Sequence, residues 1–184
     1  MHVVSLWLVT YALPALVTGG IVHSCSRYKI NPTRDAVIIH AGLAISILAS
    51  QSVLHTLGAT FPWRPHVVSL LLYGASVIFA MHTLGLFGMW YSLSAFLQQL
   101  TILSVSFVLF PLLPLSLILL LVVPIFALGH AQNVHHRSIR VMVTSLWGVA
   151  SISLFAIVPD IYLLAALHTF LGTLGIQRLI IYPA

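Results

Sequence analysis

The residues of this sequence whose number and spacing could support chemistry are its histidines. His40 and His55 lie fifteen residues apart in one apolar segment, and His66 and His82 lie sixteen apart in the next. Fifteen residues of helix rise about 22 Å. If these segments form antiparallel neighbouring helices, His55 faces His66 at one membrane side and His40 faces His82 at the other. Each pair could then supply the two neutral imidazoles that hold a b-type haem.

The same histidines also fit an ordinary structural role. His40, His55 and His66 lie at predicted helix ends, where an imidazole reaches the lipid headgroups without penalty. Spacings of fifteen and sixteen residues place the members of a pair at different rotations, and no small-residue notch recurs to receive a macrocycle. Haem binding by His40, His55, His66 and His82 is therefore the alternative hypothesis, and interfacial or hydrogen-bonded histidines are the main one.

The sequence has no recognisable catalytic or metal-binding constellation. Gly-x-Ser-x-Gly, His-Glu-x-x-His and paired carboxylates are all absent, so no catalytic residue is predicted. Cys25 is the single cysteine, which excludes a Cys-only metal site. Thr33 or Asp35 is expected to cap the second helix and to oppose its dipole. Asp160 follows Pro159 at the start of the last helix, where it is either a cap or a carboxylate on a polar path through the membrane.

The third predicted helix carries the phrase Tyr73-Gly-Ala-Ser-Val-Ile-Phe79. Small residues such as Gly74 and Ala75 let a neighbouring helix approach closely. They also weaken the local helix, and π-bulges occur at functional positions of this kind, where freed carbonyls can hold water. The segment thus has two interpretations, a packing surface or a site at which the helix changes its winding.

The elements that position these residues follow from the composition. Only 5% of the 184 residues are charged, whereas soluble domains carry roughly 25%. A surface this poor in charge must face hydrocarbon, where the backbone is paired internally, and continuous apolar runs favour helices over a barrel. The sequence predicts an all-α, polytopic transmembrane helix bundle in a single domain over residues 1–184. The basic residues are few and scattered, which excludes a nucleic-acid partner.

Seven helices are predicted, each near the length needed to cross a bilayer. The stretch 91–130 is too long for one span and is broken at Pro111-Leu-Leu-Pro114, so it is divided into two helices. If those two form one bent element, the count falls to five or six spans. The predicted helices cover residues 3–23, 36–57, 66–88, 92–110, 114–129, 138–157 and 160–178.

The basic residues predict the orientation, because cytoplasmic-side loops are enriched in Lys and Arg. Seven spans with the N-terminus outside and the C-terminus inside leave Arg64 alone on the outer side. The other six basic residues then fall inside: Arg27, Lys29, Arg34, Arg137, Arg140 and Arg178.

Four short motifs, in order along the chain, resemble membrane subunit 6 of NADH:quinone oxidoreductase (respiratory complex I). They are Asn31-Pro32 before the second helix, Leu57-Gly-Ala-Thr-Phe61 at its end, Tyr73-Gly74-Ala75 with Val77 and Phe79 in the third, and a final group of Leu154-Phe155, Pro159-Asp160, Leu163-Leu164 and Leu174-Gly175. In the family the tyrosine and glycine of the third helix are separated by one residue, and a glutamate stands at the position of Thr60.

The resemblance implies a non-catalytic core membrane subunit that carries no cofactor. Its third helix would gate a water path between quinone reduction and proton translocation, with Tyr73, Gly74, Ala75, Phe79 and Asp160 along that path. The expected partners are other membrane subunits of the respiratory complex and lipid. The first segment lacks a basic n-region, so no cleavable signal is expected. The mitochondrial inner membrane is the expected location, with a prokaryotic plasma membrane as the alternative. A structural subunit of another membrane complex is the third hypothesis.

Overall fold

The computed structural model describes residues 2–26, 32–62, 65–129 and 137–181, and this part of the chain is helical throughout apart from short connectors. It forms seven helices, which confirms the all-α prediction. We number α1 as one continuous helix made of Val3–Trp7, a π-helical turn Leu8–Ala12, and Leu13–Ser26. The others are α2 Pro32–Thr56, α3 Val67–Leu84, α4 Leu86–Leu109, α5 Leu115–Gly129, α6 Arg137–Ile157 and α7 Ile161–Ile181.

Five of the described helices are long and apolar enough to cross a membrane, which is compatible with the predicted membrane bundle. They span Val3–Cys25, Arg34–Thr56, Val67–Leu84, Leu86–Leu109 and Ser138–Ile157. Two further helices are apolar but shorter, over Leu115–Gly129 and Ile161–Ile176. The central stretch is divided into α4 and α5 around Pro111 and Pro114, as predicted.

The chain groups into two compact units. The first unit comprises Met1–Phe61 and Thr101–Ala156, and the second comprises Pro62–Leu100 and Ile157–Ala184. Helix α4 contributes its first part to the second unit and its last part to the first. The single-domain organisation stays a prediction.

The boundary between α3 and α4 differs from the predicted one. Helix α3 ends at Leu84 rather than at residue 88, because Gly85 adopts φ +63°, a left-handed conformation that glycine tolerates. The chain therefore turns within one residue, and α4 begins at Leu86 rather than at residue 92. Gly88 permits this tight corner, since a Cβ there would overlap the backbone carbonyl of Ala80.

Helix α2 also begins earlier than predicted, at Pro32 rather than at residue 36. Proline suits the first turn of a helix because its missing N–H has no intrahelical partner there. Asp35 therefore lies inside the first turn of α2 and not at the N-cap position. Its negative charge still interacts favourably with the helix dipole, and it accepts a hydrogen bond from Arg34 at 2.8 Å.

The motif Leu57-Gly-Ala-Thr-Phe61 ends α2. Gly58 adopts φ +68°, and the backbone N–H of Ala59 returns to the carbonyl of Leu54 at 2.9 Å, which is the Schellman arrangement of a helix end. Phe61 then turns inward and stacks on Phe155 with ring centroids 5.6 Å apart. Phe61 and Phe155 thus meet in the core of the first unit.

In the first unit, α1 and α5 meet where proline disturbs both helices. Pro14 cannot donate to the carbonyl of residue 10, and the turn before it widens into the π-helix Leu8–Ala12. Pro124 lies inside α5 and removes the N–H donor to the carbonyl of residue 120. Trp7 donates its indole N–H to the Leu121 carbonyl at 3.2 Å, and Tyr11 donates its hydroxyl to the Val122 carbonyl at 3.3 Å. Side chains from the widened helix thereby satisfy carbonyls of the proline-containing one.

Candidate functional site

The predicted gate residues and Asp160 lie in the second unit, which is built from α3, the first part of α4, and α7. Ser69 lies beside Asp160 and Phe79 beside Phe170, so α3 and α7 run in the same direction. Tyr91 lies against Gly172 and Phe96 against Tyr162, so α4 runs opposite to α7. These contacts define a bundle of three helices.

Asp160 is a buried carboxylate with two sets of partners. Its Oδ1 accepts hydrogen bonds from the backbone N–H groups of Tyr162 at 3.0 Å and Leu163 at 3.1 Å, as an N-cap does. Its Oδ2 accepts a hydrogen bond from the hydroxyl of Ser69, in the first turn of α3. Asp160 is 3% exposed and Ser69 is 6% exposed. The cap that the sequence predicted is therefore present, and the same carboxylate joins α7 to α3.

Tyr73 lies one turn beyond Ser69 on the same face of α3. Its hydroxyl donates to the Ser92 carbonyl of α4 at 3.2 Å. Its ring contacts Phe96, with centroids 5.6 Å apart, and Tyr162, with centroids 6.4 Å apart. Tyr73 thus touches both other helices of the second unit.

The remaining predicted gate residues are arranged differently along α3. Gly74 and Ala75 are exposed, and a Cβ on Gly74 would meet nothing within 4 Å. Phe79 is half-buried against Phe170, with ring centroids 5.1 Å apart. The inward face of α3 is formed instead by Ser69, Tyr73, Ser76 and Ala80, at intervals of three or four residues. Gly74 therefore mediates no close helix contact within the described chain.

Helix α3 is a regular α-helix through Tyr73–Phe79. The π-helical turn of this structure lies in α1, at Leu8–Ala12, where Pro14 accounts for it. The segment Tyr73-Gly74-Ala75 contains no proline, so each of its residues keeps its backbone N–H donor and nothing local forces a π-helical turn there.

A second polar group of this unit was not predicted. Gln99 of α4 and His168 of α7 are both buried, and Gln99 Nε2 lies 2.9 Å from His168 Nδ1. The ring of Tyr91 meets the imidazole edge-on, with centroids 6.5 Å apart. The signal for His168 was available in the sequence, since His168, Thr169 and Thr173 fall on one face of an otherwise apolar helix.

The four histidines of the haem hypothesis are divided between the units. His55, in the last turn of α2, is exposed, and so are His66, just before α3, and His82, in its last turn. His40 was predicted at a helix end, but α2 begins earlier than predicted, so His40 lies inside the helix. Its Nδ1 lies 2.6 Å from the Ala36 carbonyl of the same helix.

Among the described residues no group of three or more histidine, cysteine or acidic side chains is placed to hold a metal ion. The haem pairing joins histidines of different units and stays a prediction. Comparisons with protein-family models, curated proteins and solved structures found no match to this chain.

Proposed function

We propose that this chain is a non-catalytic membrane subunit of a proton-translocating NADH:quinone oxidoreductase, in which α3 helps to couple quinone reduction to proton translocation. The observation that carries the proposal is the buried carboxylate of Asp160, held by Ser69 at the start of α3 and one turn from Tyr73. A buried ionisable group is costly in a membrane protein and is therefore a candidate for a functional role. The redox chemistry would belong to partner subunits, and this chain would carry no cofactor.

The contacts of α3 suit a helix that changes its winding between two fixed points. Ser69 is tied to α7 through Asp160, and Phe79 is tied to it through Phe170. Between these points Gly74 and Ala75 are exposed, so these two residues can change position without meeting a packed neighbour among the described residues. Such a change would rotate Tyr73 away from the Ser92 carbonyl and alter the polar path beside Asp160. A switch of this kind requires that both windings be populated.

The directions of the helices support the proposed topology of seven spans with the N-terminus outside and the C-terminus inside. Successive spans alternate in direction, so the third and seventh should be parallel and the fourth opposite. The contacts of α3, α4 and α7 have these directions. We place the chain in the mitochondrial inner membrane, with a prokaryotic plasma membrane as the alternative, among other membrane subunits and lipid.

The first test is purification of the native assembly through this chain. We expect quinone-reducing subunits to co-purify with this chain, and we expect the purified assembly to reduce quinone with NADH. Co-purification with a different membrane complex would support the structural-subunit alternative and overturn the proposal.

The second test measures proton uptake and NADH oxidation in sealed vesicles that contain the assembly. Asp160→Asn should lower the number of protons moved per NADH while quinone reduction continues. The matched control is Asp35→Asn, which alters the carboxylate paired with Arg34 in the first turn of α2 and should leave that ratio unchanged. An unchanged ratio in Asp160→Asn contradicts a role for Asp160 in the proton path.

One observation favours the second candidate, a b-type haem subunit. With Nδ1 of His40 donating to the Ala36 carbonyl, Nε2 is the nitrogen left to bind iron, which is the arrangement of many ligating histidines. This Nε2 is buried and has no hydrogen-bond partner among the described residues. The visible absorption spectrum of the purified protein, compared with those of His40→Ala and His82→Ala, tests this function. Spectra without haem bands, or unchanged in both variants, exclude it.

A further inference from the structure

Over residues 167–173, helix α7 turns its polar side chains inward and its large apolar side chains outward. His168, Thr169 and Thr173 are buried, with Thr169 and Thr173 fully so. The side chains of Leu167, Phe170 and Leu171 are exposed on the other side. In a helix of the membrane interior, an imidazole in this position faces the bundle rather than the lipid, and ionisable residues placed so mark ion or proton paths.

Gln99, the partner of His168, can form a hydrogen bond with the imidazole in either protonation state. As the structure stands, Gln99 Nε2 is placed to donate to the lone pair of His168 Nδ1 at 2.9 Å. The other end of the amide, Gln99 Oε1, is buried and has no hydrogen-bond partner among the described residues. Glutamine carries an acceptor oxygen beside its donor nitrogen, so rotation of the amide places Oε1 where Nε2 was. Gln99 can therefore stabilise Nδ1 with or without a proton.

Polar and titratable groups lie near this pair. From α4, the ring of Tyr91 meets the imidazole of His168 edge-on, and the Tyr91 hydroxyl lies against Gly172. On its own helix, Asp160 lies eight residues earlier, about 12 Å of helical rise away. The ionisable groups of α3 and its start are Tyr73, His66 and His82. Thr169 Oγ1, next to His168, is a further buried hydroxyl oxygen without a partner among the described residues.

We infer that His168 and Gln99 form a proton-binding site in the membrane interior. His168 Nδ1 takes up one proton, the imidazole becomes cationic, and the Gln99 amide rotates so that Oε1 accepts the new N–H. Release of the proton reverses both changes, and no other bond is made or broken. As a step between Asp160 and the far end of α7, this site rests on the proposed function. Proton binding by His168 does not depend on the proposed function, because it can be measured on the purified chain alone.

The experiment is nuclear magnetic resonance of the full chain in lipid nanodiscs, with ¹⁵N-labelled histidine. His168→Gln assigns the His168 signals, and His82→Gln, which removes an exposed histidine, is the control that should leave them in place. At the alkaline end we expect an acceptor-type Nδ1 and a protonated Nε2. We expect the imidazole to become doubly protonated, reversibly, between about pH 8 and pH 5.

Gln99→Leu keeps a side chain of similar size but removes both the donor to neutral Nδ1 and the acceptor for its proton. The bond to the charged imidazole is the stronger of the two. We expect the His168 midpoint to fall by about one pH unit or more, a tenfold loss of proton affinity. A His168 signal that stays neutral over the whole range, or a midpoint unmoved by Gln99→Leu, overturns the inference. If Gln99→Leu does not fold, the wild-type tautomer decides, because a proton on Nδ1 at the alkaline end excludes uptake there. Titration with an unchanged proton-to-NADH ratio in His168→Gln would retain the site and remove its place in the path.

Discussion

The hydroxyl of Ser69 in α3 donates a hydrogen bond to the carboxylate of Asp160, which caps α7. The two residues are 91 positions apart in the chain, and both are buried. One carboxylate thereby fixes the start of one helix and its position beside another. Because one carboxylate does both, we expect its removal to lower the free energy of unfolding by more than the loss of an ordinary helix cap does.

Ser69→Ala removes the cross-helix hydrogen bond and leaves the cap of α7 intact. Hydrogen bonds to charged groups contribute about 1.5–3 kcal/mol, so we expect a loss of this size in the free energy of unfolding. The measurement is unfolding in mixed detergent micelles followed by tryptophan fluorescence. The control is Ser52→Ala, because Ser52 is exposed and donates only to the Leu48 carbonyl of its own helix. Equal losses in the two variants would show that the Ser69–Asp160 contact contributes nothing particular.

Asp160→Asn and Asp160→Ala separate the cap from the charge. Asparagine keeps an oxygen for the N–H groups of Tyr162 and Leu163, whereas alanine keeps none. Loss of a cap costs about 0.5–2 kcal/mol, so we expect the alanine variant to be less stable than the asparagine variant by about that amount. The same unfolding measurement applies. If the two variants are equally unstable, the negative charge rather than the capping geometry holds α7, and Asp160→Asn would not be a neutral probe of the proton path.

Gly172→Ala should displace Tyr91, because a Cβ at position 172 would overlap the Tyr91 hydroxyl. Overpacking of this kind costs about 1–3 kcal/mol of unfolding free energy. Gly175→Ala is the matched control one turn later in α7, where a Cβ would meet nothing within 4 Å.

The double variant Gly172→Ala with Tyr91→Ala tests the cause of that loss. We expect its cost to be smaller than the sum of the two single costs, since removal of the ring opens the space that the new methyl group needs. Additive costs would mean that Gly172 matters through its backbone and not through its contact with Tyr91.

Tyr11→Phe tests the contact between the π-helical turn of α1 and the proline-containing helix α5. The variant removes the hydroxyl that donates to the Val122 carbonyl, and such a bond contributes about 0.5–1.5 kcal/mol. In a Pro124→Ala background, α5 can straighten, which shifts the Val122 carbonyl relative to the Tyr11 hydroxyl. We therefore expect Tyr11→Phe to cost less in that background than in the wild type. If Tyr11→Phe lowers the free energy of unfolding equally in both backgrounds, the Tyr11–Val122 contact does not depend on Pro124.

The sequence by itself predicted the places of the helices that the structure describes, and left open whether the central stretch holds one bent element or two. Long apolar runs must form helices in hydrocarbon because each backbone N–H and C=O then finds its partner a few residues away. Pro111 and Pro114 divide the central stretch for an equally local reason. The predicted helix ends were less accurate. At Gly85, for example, a left-handed backbone conformation ends α3 before the predicted boundary. The cap at Asp160 was also predictable, since it involves only the residues that follow it.

The tertiary structure decided which side chains meet. The partner of Asp160 is Ser69, and the partner of His168 is Gln99, 69 residues away in the sequence. These pairings depend on the rotation of each helix about its axis and on the direction of its neighbour, neither of which follows from local spacing. The sequence drew attention to Gly74 and Ala75 as small residues, yet the structure turns them outward and places Tyr73 inward. One residue, or about 100° of helix rotation, separates Tyr73, whose side chain touches two neighbouring helices, from Gly74, where even an added Cβ would meet nothing within 4 Å.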